Sequence, residues 1–136
     1  MKTPNFLKGL GFLFLLTIII SCSDNGDTNN KNLIGTWSWV SSSGGIAGTT
    51  ETPASTGKNR DLKFTSDGKY FYFTNGVLSS QGTYNIEIKK SNLYQTNKNA
   101  IIFSKDGYMI IEKIDDSNLF LSDDNFDGFG SSYIRK

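Results

Sequence analysis

The 136-residue chain carries 14 basic and 13 acidic side chains, no histidine and one cysteine. So even a balance offers no electrostatic argument for nucleic-acid binding. Without imidazole or a spare thiol, Ser/His/Asp and Cys/His catalysis, zinc sites built on those ligands and an internal disulfide are all excluded.

The first 21 residues divide as a secretory signal does. Lys2 and Lys8 give a positive start, and Gly9 to Ile20 is a run of apolar or small residues broken only by Thr17. That run is shorter than the roughly 20 apolar residues a transmembrane helix needs. The sequence Ile19-Ile20-Ser21 before Cys22 resembles the lipobox of bacterial lipoproteins. The resemblance implies cleavage after residue 21 and lipidation of Cys22, with a location in the bacterial cell envelope, on the periplasmic or surface face of the outer membrane. Each buried acyl methylene contributes about 0.8 kcal/mol, so two or three chains anchor stably where one does not. Loss of Lys2 and Lys8 leaves 12 basic residues against 13 acidic ones.

Residues 22–32 are polar and small beyond the cysteine, which makes them a flexible tether. Asp24 and Asp27 lie close to the lipidated end. Two readings stand for them: a faint resemblance to acidic surface-export signals, or plain linker charge. Roughly 105 residues remain in 33–136, enough for one domain with its own core.

From residue 33 onward the sequence reads as strands: apolar, aromatic and β-branched runs separated by turn residues. The expected strands are Ile34–Ser41, Asp61–Thr65, Lys69–Thr74, Val77–Ile88, Ala100–Ser104, Tyr108–Ile114, Asn118–Ser122 and Ser131–Arg135. Between the first two, Ser42–Arg60 is rich in glycine, serine and threonine, with Ile46 its only large apolar side chain. A loop that long is either functional, here a lid over a barrel mouth, or mobile.

The turns predict antiparallel neighbours. Asp67-Gly68 and Asp106-Gly107 suit a turn closed by a left-handed glycine, and Asn75-Gly76 is the type I′ pair. Asp115-Asp116-Ser117-Asn118 closes a fourth hairpin. Consecutive hairpins make a meander, and closing it removes its edges. The expected fold is therefore all-β: an up-and-down antiparallel meander of about eight strands closed into a barrel.

Pairing Thr65 with Lys69 sets Phe64 opposite Tyr70 and Leu62 opposite Tyr72 on one face. The same logic at the second turn sets Phe103 opposite Met109 and Ile101 opposite Ile111. Both faces of several strands are apolar, so pattern alone does not identify the inner one.

Asp123-Asp124-Asn125-Phe126-Asp127-Gly128 matches the opening of a calcium loop, with Asp123, Asn125 and Asp127 as ligands. Ile134 stands where that loop needs its glutamate, and the flanks read as strands. An acidic turn joining the last two strands is the alternative. Most other acids, including Asp67, Asp106, Asp115 and Asp116, occupy turn positions that favour aspartate on conformational grounds. No enzyme activity and no cofactor are expected.

Gly35-Thr36-Trp37 opening the first strand is similar to the Gly-x-Trp signature of the lipocalins. The hairpin from Phe64 to Tyr70, Gly82-Thr83-Tyr84 and the terminal Tyr133-Ile134-Arg135 resemble small lipocalin-like lipoproteins of bacteria. The resemblance spans residues 33–136. It implies that Trp37 seals one barrel end with Arg135 stacked across it; otherwise Trp37 is a core aromatic and Arg135 is solvated. It also implies a cavity for a small hydrophobic ligand, lined by Trp37, Leu62, Phe64, Tyr70, Tyr72, Tyr84 and Phe103. The lipocalin disulfide and C-terminal helix have no counterpart. The expected function is a membrane-anchored, monomeric carrier of such a ligand, without nucleic-acid partners. The alternative is an envelope interaction protein with a filled barrel, recognising a protein or glycan through its loops.

Overall fold

A computed structural model describes residues 32–136. The signal segment 1–21, Cys22 and the tether as far as residue 31 lie outside the described residues.

Among the described residues, nine strands and one complete helical turn follow in order. They are β1 (Gly35–Gly44), β2 (Thr49–Glu51), α1 (Pro53–Thr56), β3 (Arg60–Phe64), β4 (Lys69–Thr74), β5 (Val77–Lys90), β6 (Asn97–Phe103), β7 (Gly107–Ile114), β8 (Asn118–Ser122) and β9 (Phe129–Arg135). The sheet runs β1-β3-β4-β5-β6-β7-β8-β9, every pair antiparallel, and β9 returns to β1. The result is a closed eight-stranded meander barrel, with β2 as an extra strand on the last residues of β1. Closure satisfies backbone groups that an open sheet would leave at its edges.

Local chemistry explains most of the turns. Asn75 and Gly76 both have positive φ, 51° and 79°, as a type I′ hairpin requires. Asp115 Oδ1 accepts the N–H groups of Ser117 and Asn118. These bonds stabilise the ionised carboxylate and hold its pKa well below the usual range. At the first Asp-Gly turn Phe64 pairs with Tyr70 and Leu62 with Tyr72, as the spacing predicts.

At the second Asp-Gly turn the expected register is wrong by two residues. Phe103 pairs with Gly107 and Ile101 with Met109. Ser104 continues the ladder with β5, its N–H donating to Thr83 O (2.9 Å), so it does not close its own hairpin. A shift of two leaves every side chain on its expected face.

Segment 42–60 is also unlike the irregular loop its composition predicts. β1 continues to Gly44, β2 turns back along it, and α1 follows. Thr52 and Ser55 form a reciprocal capping box at α1, which explains how a Ser/Thr-rich stretch adopts a defined turn. Ile46 sits at the β1–β2 turn with 92% of its surface exposed, so it does not seat on the barrel as a lid would.

The core holds Leu33, Trp37, Trp39, Leu62, Phe64, Tyr70, Tyr84, Ile101, Phe103, Ile111, Leu119, Leu121 and Tyr133. Alternate connections of a meander fall at opposite ends. Turns 65–68 and 115–117 therefore share one end with Gly35 and Arg135. Turns 45–48, 75–76, 104–106 and 123–128 form the opposite rim.

Candidate functional site

One end of the barrel is sealed. The indole of Trp37 is fully buried and donates from Nε1 to Leu33 O (2.8 Å). The Arg135 guanidinium carbon stands 4.1 Å from the centroid of that indole. Its Nε donates to Asp116 O (2.7 Å), one terminal nitrogen to Ile34 O (2.8 Å), and the other to Asn32 O. One planar cation thus covers the tryptophan and ties both the incoming chain and the β7–β8 turn to β9. Gly35 has φ 140°, and a Cβ there would lie 2.5 Å from an Arg135 terminal nitrogen. The glycine of Gly-x-Trp is the space through which the arginine passes.

The residues expected to line a cavity are brought together, as packed core. Trp37, Leu62, Phe64, Tyr70, Tyr84 and Phe103 are all buried. Ring centroids lie 4.8 Å apart for Phe64–Tyr84 and Tyr70–Phe103, 5.8 Å for Tyr70–Tyr72, and 6.2 Å for Phe64–Phe103 and Tyr72–Phe103. Such separations are direct ring contact and leave no room between these rings for a ligand. Tyr72 differs from the others in being only partly buried. It packs against the core with Ile86, Met109 and Ile114.

Tyrosine hydroxyls mark the interior chemistry. Tyr70 donates across β5 to Asp106 Oδ2 (2.6 Å) in the β6–β7 turn. Burial and that carboxylate both push its pKa up. Burial raises Tyr72 strongly and pushes Tyr133 up to about 12, so both phenols stay neutral well above physiological pH. Tyr70 can cross only because residue 82 is glycine: a Cβ there would meet the tyrosine Cε1 at 2.8 Å and the Ser104 hydroxyl closer still.

Sequence reasoning did not find the polar interior beside Trp39. Its Nε1 donates to Ser42 Oγ (2.8 Å), and Ser42 and Ser131 hydroxyls are 2.7 Å apart. The Arg60 guanidinium lies 4.3 Å from the Trp39 ring and 3.6 Å from Glu51. A register shift between Trp39 and Ser41 turns Ser42 inward, an event no period-two pattern predicts.

The acidic segment joins β8 to β9. Asp123 N–H donates to Phe129 O (2.9 Å), and Asp123 Oδ2 accepts Phe129 N–H (3.0 Å). Asp124, which the calcium pattern leaves out, makes the most bonds. Its carboxylate accepts Ser91 Oγ (2.6 Å), the N–H groups of Asn92 (2.8 Å) and Leu93 (3.1 Å), and the Tyr108 hydroxyl (2.9 Å). Burial opposes its ionisation, but these four donors outweigh it and lower the pKa to about 2. The β5–β6 turn is thereby held against the outside of β6 and β7, where Ala100 and Ile110 are fully buried opposite the core. Among the described residues no three His, Cys, Asp or Glu side chains are grouped to hold a metal.

These features define a small up-and-down β-barrel, closed around its sheet, sealed at one end and compatible with a lipocalin-like form. No protein-family profile and no curated protein matches the chain.

Proposed function

We propose that the chain is a lipid-anchored protein of the bacterial cell envelope whose barrel binds a small hydrophobic molecule. In this reading it acts as a monomer, catalyses no reaction and uses no cofactor. The anchor is Cys22, and the membrane contact is made by its acyl chains rather than by the barrel. The observation that carries the reading is the asymmetry of the barrel. Trp37 and Arg135 stop one end, while Tyr72, Ile86 and Met109 are apolar side chains against the core that are only partly covered. Ile86 and Met109 flank Ile101 across the β5–β6–β7 register, so two of them share one stretch of wall. Apolar walls with a few convergent hydroxyls suit small hydrophobic ligands.

Native mass spectrometry of the full chain, purified in mild detergent, tests this. A co-purified small molecule that leaves on organic extraction is the expected result. A clean apo mass refutes it and favours the filled-barrel reading, in which rim loops recognise a protein or glycan. Two observations support that second reading: the solid ring packing around Phe103, and the near-complete exposure of Ile46 and Phe126 on adjacent rim turns.

A further inference from the structure

The longest strand outruns its neighbour. β5 pairs with β4 from Val77 to Thr83 but with β6 only from Tyr84 onward. Its first six to seven residues, about 20 Å of strand at 3.3 Å per residue, overhang the β6–β7 turn. Thr83 is the last residue partnered on that side: its C=O accepts Ser104 N–H (2.9 Å) and its N–H donates to Ser104 Oγ (3.0 Å). The Tyr84 N–H points the other way, to Gly68 O. Gln81 is two residues from Thr83 in unbroken register with Phe71, so its N–H and C=O face the same edge as those of Thr83. Among the described residues nothing bonds them there.

That edge opens onto a groove. A hollow of about 500 Å3 is lined by Lys69, Phe71, Gln81, Gly82, Thr83 and Lys105. A second of about 320 Å3 continues it along Leu78, Ser79 and Ser80, again against Gln81 and Lys105. Its charge is mainly positive. Lys105 has no acidic partner among the described residues, and the exposed Lys63 pairs in register with Phe71. Lys69 is shared with Asp67 at 2.6 Å. Asp106 accepts Tyr70 and Ser80 hydroxyls.

We propose that this overhang is a docking edge for an extended acidic segment of a partner protein, which adds a strand beside β5. The free N–H and C=O of Gln81 would pair with the segment's backbone, and the segment's carboxylates would lie along Lys105 and Lys69. Backbone groups of strand spacing favour a peptide over a sugar. The register shift between Tyr72 and Phe73, which places Leu78 to Ser80 in a bulge, and the charge of Lys105 discourage pairing with a neutral strand or a second copy of β5. The inference goes beyond the barrel's cargo and holds whether or not the interior carries a ligand.

The test uses the full chain in detergent and two labelled, capped peptides, Glu-Val-Glu-Val-Glu and Lys-Val-Lys-Val-Lys. Fluorescence anisotropy should show saturable binding of the acidic peptide only, and hydrogen–deuterium exchange should slow in residues 78–83. Lys105→Glu should weaken the acidic peptide by about fivefold, in line with exposed charge pairs, and improve the basic one. Gln81→Pro removes the outward N–H, leaves the β4 ladder its bonds, and should abolish binding. If that variant melts early, the charge reversal at Lys105 decides alone. No saturable binding up to millimolar peptide, equal binding of both peptides, or protection elsewhere overturns the proposal. So does a uronic-acid oligosaccharide that slows exchange at residues 78–83 where neither peptide does.

Discussion

Replacing Arg135 with alanine removes the cover of Trp37 and three hydrogen bonds at once. A guanidinium stacked on an indole contributes about 0.5–2 kcal/mol, depending on desolvation. Charged donors to carbonyls add about 1.5–3 kcal/mol each where water cannot replace them. Arg135 is only partly buried, so water recovers much of the second contribution. A loss of about 2–4 kcal/mol is the reasonable sum. For a domain of this size that is a fall of roughly 10–20 °C in Tm. Arg135→Lys keeps the charge but not the planar fork, and should recover less than half of the loss. Urea unfolding followed by tryptophan fluorescence measures both variants. A cycle with Trp37→Phe isolates the stack, for which coupling of about 1 kcal/mol is expected. If Arg135→Ala lies within about 0.5 kcal/mol of the parent, or lysine restores it fully, Arg135 does not seal the barrel end.

Asp124→Asn should cost about 1–3 kcal/mol and speed hydrogen exchange in residues 91–96. Because the Asp124 pKa falls from its ordinary 3.8 to about 2, its stabilisation is complete above pH 4 and lost as pH falls towards 2. The difference between parent and variant should shrink across that window in acid unfolding, and a difference that grows there would contradict the assignment. Gly82→Ala forces a methyl against Tyr70 and Ser104, with an expected loss of about 1–3 kcal/mol; an unchanged melting curve would mean the Tyr70 ring does not lie there. Cys22→Ala should abolish incorporation of radiolabelled lipid and release the protein from membranes, whereas persistent labelling would sink the lipoprotein reading.

Legibility in the sequence followed the range of the interaction. Asn75-Gly76 and Asp115 to Asn118 encode their turns within four residues, and the hairpins there could be read directly. Leu62, Phe64, Tyr70 and Tyr72 share a face because one short turn fixes their pairing. The Ser104 turn could not be read, since its register depends on Thr83 in a strand twenty residues earlier. Ser42 faces inward only through the irregularity after Trp39, and the strong apolar character of Phe71 and Phe73 on the outer wall hid which face was core. The acidic segment misled for a related reason. Spacing drew notice to Asp123, Asn125 and Asp127, while the residue with four bonds is Asp124, whose partners Ser91 to Leu93 lie some thirty positions away.

The two ends of the barrel differ because they are built from different chemistry. At the sealed end a single long cation gathers three backbone carbonyls that no strand uses, and the chain enters the barrel directly beneath it. The opposite rim lies away from this entry point. At that rim the strands end unevenly: β6 stops opposite Tyr84 while β5 continues for six to seven residues. Tyr70 and Ser80 reach Asp106 across the step, yet they leave the backbone edge of Gln81 unused. A barrel abolishes edges only where neighbouring strands are equally long. The step at β5 beside Gln81 is therefore one place where this fold retains the capacity to pair with another chain.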